Sequence, residues 1–356
     1  MEIWAVCKDP GGTNGILPVV RILRSFGYEV LLIANGKAVE LLKDGKEAYV
    51  VYDSAEKLLR EYRSPDILVT SMCSYGGVGR DLVPLLRGKC STVALQDFWG
   101  ASLVDHGESA WGDVKYRPDY LVVNDEIGKK IVLETWPDYK NNQVLVLGYP
   151  ALDKYASVNV REVSQKVRFV LGLEAKKPLV LFGGQGTLTK ETLSSLVSAL
   201  NIIGGDFYFI PRPHPRTKDN YPEEMTLWQK ALAELKAGTA IFDFFGQTDM
   251  PSLLAASDLV ISTYSTILVE SAMLRKPNIS ILYESVMQDL RRNSGLKEFP
   301  LVQLGCSAMA ETFESLQELL KKGLSGNLEL EAAQKQNFRL DGKNAERVAR
   351  FIVGLK

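Results

Sequence analysis

Ile3-Trp4-Ala5-Val6-Cys7-Lys8-Asp9-Pro10-Gly11-Gly12-Thr13-Asn14-Gly15-Ile16 holds the plan of the whole chain. Ile3–Cys7 is a short, unbroken apolar run, as a strand covered on both faces requires. Asp9–Gly15 is rich in glycine and polar residues. Ile16–Ser25 then carries apolar residues three and four apart, as a helix packed on a sheet does. Strand, glycine loop and helix in that order begin a parallel α/β layer. The glycines admit close backbone approach, and the helix start offers free N–H groups to an anion or a sugar hydroxyl. A tight strand-to-helix turn explains the loop equally well at this point.

The alternation continues outward. Apolar runs at Val30–Ile33, Ala48–Val51, Ile67–Thr70, Thr92–Leu95, Tyr120–Val123 and Val144–Leu147 are separated by amphipathic segments such as Ala38–Leu42 and Ala55–Tyr62, which predicts one doubly wound sheet. Leu179–Phe182, Phe207–Ile210, Ala240–Phe242, Leu259–Ser262, Ile279–Leu282 and Leu301–Gln303 predict a second. At 356 residues the chain exceeds the size at which single cores stop growing, ~250–300 residues, so two domains are expected. They are residues 1–153 and 160–340, joined through Gly148–Val160, with a helix over 341–356 that crosses back onto the first domain. The fold class is α/β, two Rossmann-like doubly wound parallel sheets facing a central cleft.

With 46% hydrophobic and 24% charged residues the chain can fill a core in each half. Lys and Arg (42) nearly cancel Asp and Glu (43), so no global field draws the protein to nucleic acid, and an anionic ligand must be met locally. Cys7, Cys73, Cys90 and Cys306 show no metal-binding spacing. There is no signal-peptide pattern and no long apolar run, so a cytoplasmic location is expected, with peripheral membrane contact left open.

Ligands of parallel α/β sheets bind beyond the carboxyl ends of the strands, so loops after strands carry the search. Gly183-Gly184-Gln185-Gly186-Thr187 occupies in the second half the place that Gly11-Gly12-Thr13 holds in the first, and Thr187 or Thr189 can cap the helix that follows. Arg212-Pro213-His214-Pro215-Arg216 follows a strand. Its arginine forks suit phosphate oxygens and His214, one of two histidines in the chain, suits work on a leaving phosphate. Ser262-Thr263-Tyr264-Ser265-Thr266 puts hydroxyls at a helix start, and Glu270 follows where a carboxylate can bind ribose hydroxyls. Asp97, after the Thr92–Leu95 strand, is the leading general base with Asp9 in reserve. Trp99 is expected to offer an aromatic wall to a sugar, and Phe245 to edge a nucleobase. For each loop a purely structural role, a rigid turn or a helix cap, is the competing explanation.

These residues together resemble the glycosyltransferase B-type superfamily (GT-B), including UDP-N-acetylglucosamine 2-epimerases. The resemblance rests on Leu254-Ala255-Ala256-Ser257-Asp258-Leu259-Val260-Ile261-Ser262, Tyr264-Ser265-Thr266, Glu270 and Lys276-Pro277. The Arg212–Arg216 and Ser262–Thr266 segments are also similar to CDP-glycerol glycerophosphotransferases and capsule-polysaccharide enzymes, with Thr263 where those have Asp. Gly148-Tyr149-Pro150 and Asp153 look like their domain-joining segment, and Gly11–Gly15 like the acceptor-side loop of lipid-linked glycosyltransferases. The resemblance implies ribose binding by Glu270. No Asp-x-Asp metal motif occurs, so a metal-independent site is implied.

The expected function is transfer from a UDP- or CDP-linked sugar in surface-polysaccharide or glycoconjugate synthesis, without a prosthetic group. Gly184 to Thr187, Arg212, Arg216, His214, Tyr264 and Ser265-Thr266 would hold the donor phosphates, and the first domain would present a glycan or lipid-linked acceptor to Asp97. The rivals are an epimerase, a CDP-glycerol glycerophosphotransferase, and a non-catalytic nucleotide-sugar-binding subunit.

Overall fold

A computed structural model describes residues 1–43, 45, 47–72, 76–102, 111, 113–185, 188–214, 222–241 and 248–355. The chain forms two compact units. One comprises Met1–Ala156, Asn293–Leu296 and Asp341–Lys356, the other Ser157–Arg292 and Lys297–Leu340.

The first unit contains strands β1 (Glu2–Cys7), β2 (Glu29–Ala34), β3 (Val50–Val51), β4 (Ile67–Ser71), β5 (Ser91–Leu95), β6 (Tyr120–Val123) and β7 (Val144–Val146). They pair in parallel in the order β3-β2-β1-β4-β5-β6-β7. Side chains of β1 alternate across the sheet: Ile3, Ala5 and Cys7 join the core beneath helix α1 (Pro10–Ser25), while Trp4 and Val6 join the core under the helix Val78–Leu86. Both faces are covered, which is why the strand reads as a continuous apolar run. The chain winds outward from β1 to β3 and then returns to β4 on the other side of β1. The loops after β1 and β4 therefore diverge at a topological switch point.

The C-terminal helix Asn344–Val353 returns to this unit and buries Ala345, Val348, Ala349 and Ile352 in the α1 core. No side chain of its own caps it. Asp153 does so from far along the sequence, accepting the N–H groups of Asn344 (3.0 Å) and Ala345 (2.7 Å). Asp153 of the motif quoted above thus fastens the end of the chain to the first unit.

The second unit contains β8 (Leu179–Gly183), β9 (Tyr208–Arg212), β10 (Thr239–Ala240), β11 (Leu259–Ser262), β12 (Asn278–Ile281) and β13 (Ala308–Ala310). The order is β10-β9-β8-β11-β12-β13, again parallel, with its switch point between β8 and β11. The strand expected over Leu301–Gln303 is instead part of a helical turn, Pro300–Gln303. Pro300 at the first helical position fixes a helical φ there, and the edge strand forms from the smaller residues Ala308–Ala310. Asp258 accepts from the buried Arg168 (2.6 Å) and from Leu179 N (2.8 Å), so it ties the helix Val160–Val170 to the start of the sheet, at the opposite end of β11 from Ser262. Among the described residues no helix is long and apolar enough to cross a membrane.

Candidate active site

In the first unit the switch point gathers Gly11, Gly12, Ser71, Asp97 and Tyr149 around a small pocket. Asp9 caps α1, its carboxylate accepting from Gly12 N at 2.7 Å. The cap holds the glycine pair against the ends of β4 and β5. A β-carbon at Gly11 would run into the Asp97 carboxylate, and one at Gly12 into the Ser71 hydroxyl. Glycine at both positions is therefore a requirement of close approach.

Asp97 is half-buried. Burial pushes its carboxyl up to about 7; the negative charge of Asp9 pushes the same way, and a hydrogen bond from the Tyr149 hydroxyl opposes. That hydroxyl donates to the Asp97 carbonyl oxygen and lies 3.4 Å from Oδ1. A carboxyl with this pKa is divided between acid and base near neutrality, as a general base needs to be. Asp9 is occupied as a helix cap and does not line the pocket, whereas Asp97 does.

Two expectations for this unit are corrected. Trp99 is 1% exposed and its indole N–H donates to Asp125 at 2.8 Å, so the ring is buried structure and not an open wall for a sugar. Thr13 is likewise buried, its hydroxyl donating to the Asp9 carbonyl oxygen at 2.5 Å. Both polar groups are satisfied within the fold.

The second switch point brings Gly184 and Gln185, after β8, beside Ser262 and Thr263 at the end of β11. Ser262 donates to the Gly183 carbonyl (2.6 Å) and Thr263 to the Gln185 side-chain oxygen (2.8 Å), stitching the two loops together. Thr189 accepts from Gln185 N at 3.0 Å and closes the loop. Gly184 is glycine because a β-carbon would strike the ring of Trp228, a packing constraint and not an opening for a ligand. Tyr264 is buried with its hydroxyl donating to Asp289, which also accepts from Arg292 at 2.7 Å; its ring is a post inside the unit and not a phosphate ligand. Ser265 caps the helix Thr266–Met273, Thr266 is exposed, and Glu270 stands half-buried one turn on. On the other flank of β8, Arg212 donates to the Thr248 carbonyl at 3.2 Å and His214 is half-buried two residues beyond it. Gly186, Thr187, Arg216 and Phe245 lie outside the described residues. Among the described residues no group of three or more His, Cys, Asp or Glu converges as metal ligands.

Ser71 was not legible as a site residue, and Tyr149 only as part of a joining segment. Ser71 ends an apolar strand, and nothing in Ile67–Ser71 connects it with Gly12 until β4 is known to lie beside β1. The pattern of the CDP-glycerol:poly(glycerophosphate) glycerophosphotransferase family matches residues 97–354. The chain belongs to this family. The match begins at Asp97 and runs through all the described donor-side residues named above. No curated protein matches the sequence. Among solved structures, the chain is similar to a UDP-GlcNAc 2-epimerase from Methanocaldococcus jannaschii at 18% identity, with 99% of this chain and 100% of that chain covered and a TM-score of 0.67. It is similar to a glycosyltransferase from Rickettsia africae at 15% identity, 99% and 98% coverage and a TM-score of 0.68. It is also similar to the wall teichoic acid polymerase TagF at 16% identity, 100% and 88% coverage and a TM-score of 0.60. These likenesses establish a GT-B fold for this member of the glycerophosphotransferase family.

Proposed function

We propose that the chain transfers a glycerol phosphate or closely related group from a CDP-activated donor to an acceptor hydroxyl, with Asp97 as general base. The observation that carries this reading is a half-buried carboxyl, with its pKa at about 7, in a switch-point pocket at the head of the segment that matches the glycerophosphotransferase family. The solved structure of TagF soaked with CDPG supports the choice of donor class.

Asp97 takes the proton of the acceptor hydroxyl as its oxygen attacks phosphorus, and CMP departs with the electron pair of the broken P–O bond. In the second unit Arg212 and His214 neutralise charge on the departing phosphate, the loops at Gln185 and Ser265-Thr266 contact its oxygens, and Glu270 binds the ribose. Glycosyl transfer from a UDP- or CDP-linked sugar in surface-polysaccharide synthesis, the expectation from sequence, would use the same base.

The test is to incubate the full chain with CDP-glycerol, and separately with UDP- and CDP-sugars, each with and without a glycerol-phosphate-terminated acceptor and with and without EDTA. Acceptor-dependent CMP release from CDP-glycerol that survives EDTA is the expected result. Release of nucleotide only from sugar donors would replace the reading with glycosyl transfer. A changed sugar formed from donor alone would replace it with epimerisation.

A further inference from the structure

Ser71 has an environment that neither folding nor the proposed base accounts for. It is 5% exposed at the end of β4, yet its hydroxyl has no hydrogen-bond partner among the described residues, and it lines the same pocket as Asp97. The oxygen is not sealed off from solvent, so its hydrogen-bonding capacity is open to whatever enters the pocket. The opposite wall does nothing to satisfy it, since Gly12 faces Ser71 with no side chain at all and any β-carbon there would collide with its oxygen. The pocket that both line, together with Asp97, has room for about one water-sized group. A phosphate is too large for such a space; a single hydroxyl oxygen fits.

Resting on the proposed transferase reading, we infer that Ser71 is a second substrate-contacting residue, whose hydroxyl donates to the acceptor oxygen while Asp97 accepts that oxygen's proton. An attacking hydroxyl needs one lone pair directed at phosphorus and its proton directed at the base. A hydrogen bond from Ser71 to the other lone pair fixes the remaining orientation. The balance of the step is unchanged: the acceptor oxygen bonds to phosphorus, the bond from phosphorus to the CMP oxygen breaks, CMP takes the electron pair, and the proton goes to the Asp97 carboxylate. Ser71 exchanges no proton, and its contribution is alignment.

The test uses the full-length chain and its Ser71→Ala and Gly12→Ala variants. Ser71→Ala removes an oxygen that bonds nothing in the fold, so melting temperature and donor dissociation constant are expected to match the parent. The value of kcat/KM for the acceptor is expected to fall on the order of 10-fold. Its pH profile should keep the same ionisation near 7, because Ser71 acts on the acceptor and not on Asp97. Gly12→Ala drives a methyl group against the Ser71 hydroxyl and displaces it, so it should lose at least as much acceptor activity as Ser71→Ala while still binding donor. Unchanged acceptor kinetics in Ser71→Ala, beside an active parent, overturns the inference and leaves the transferase reading standing. A Ser71→Ala profile displaced along the pH axis also overturns it, since the hydroxyl would then be acting through Asp97. A parent that transfers nothing from CDP-glycerol fails the transferase reading instead, and is recognised before any variant is compared.

Discussion

Replacing Asp97 with Asn keeps the shape of the side chain and removes its titration. The folded carboxyl lies at about 7 against an ordinary 3.8, about three pH units. At 1.36 kcal/mol per unit, that is on the order of 4 kcal/mol between the protonated and ionised forms in the fold. Asp97 is partly open to solvent screening, so about 2–4 kcal/mol is the expected range. The sign follows from the direction of the shift. A carboxyl whose folded pKa is raised favours the fold while protonated; that contribution is complete below the unfolded pKa near 4 and is lost as pH rises through about 7. Parent and Asp97→Asn should therefore have similar stability at pH 4.5, and the variant should be about 2–4 kcal/mol more stable at pH 8. Urea denaturation at both pH values, followed by tryptophan fluorescence, measures the difference. Four of the five tryptophans, Trp4, Trp99, Trp111 and Trp136, belong to the unit that contains Asp97, so the signal reports that unit's own transition. In the same variant the acceptor-dependent rate should collapse by ~10²–10⁴-fold, the ordinary contribution of a general base. Equal stability differences at pH 4.5 and 8, or a variant no more stable than the parent at pH 8, would refute the argument that burial holds the proton on Asp97.

His214→Ala is expected to lower turnover more than donor affinity, with partial recovery in His214→Asn, because contact with a departing phosphate strengthens as charge develops; parallel kinetic and binding titrations decide it. Glu270→Ala should weaken nucleotide binding by ~10–100-fold through loss of charged hydrogen bonds to ribose, with the melting temperature unchanged, and calorimetry showing parental affinity would reject the assignment. Asp153→Ala removes the cap on the helix Asn344–Val353 and should destabilise the first unit by about 1–2 kcal/mol, measured by the same fluorescence transition; hydrogen exchange should rise first at Asn344 and Ala345.

Much of the fold was readable in the sequence because strands buried on both faces are near-continuous apolar runs and crossover helices are amphipathic, whatever their partners. Ile3–Cys7 and Leu179–Phe182 could hardly be anything but central strands. The error at Leu301–Gln303 came where that signal is weakest, in a short apolar run that a helix turn and an edge strand accommodate equally well, and Pro300 tipped it toward the helix. Asp97 could be singled out as a candidate because it is an acidic residue two positions beyond a strand end, which is a local property.

What the sequence could not supply was adjacency. Ser71 meets Gly12 because β4 lies beside β1, and Asp153 meets Asn344 because the last helix returns to the first unit; both pairings come from long-range strand order and packing. Nor does residue type reveal burial. Trp99, Thr13 and Tyr264 have the chemistry of ligand contacts, and only the packed structure shows that Asp125, the Asp9 carbonyl and Asp289 already occupy their polar atoms. The sequence by itself determined the two parallel layers and the loops at which chemistry could occur. Tertiary structure decided which side chains in those loops still have a hydrogen bond or a proton to offer, because desolvation and partner satisfaction depend on every element packed around them.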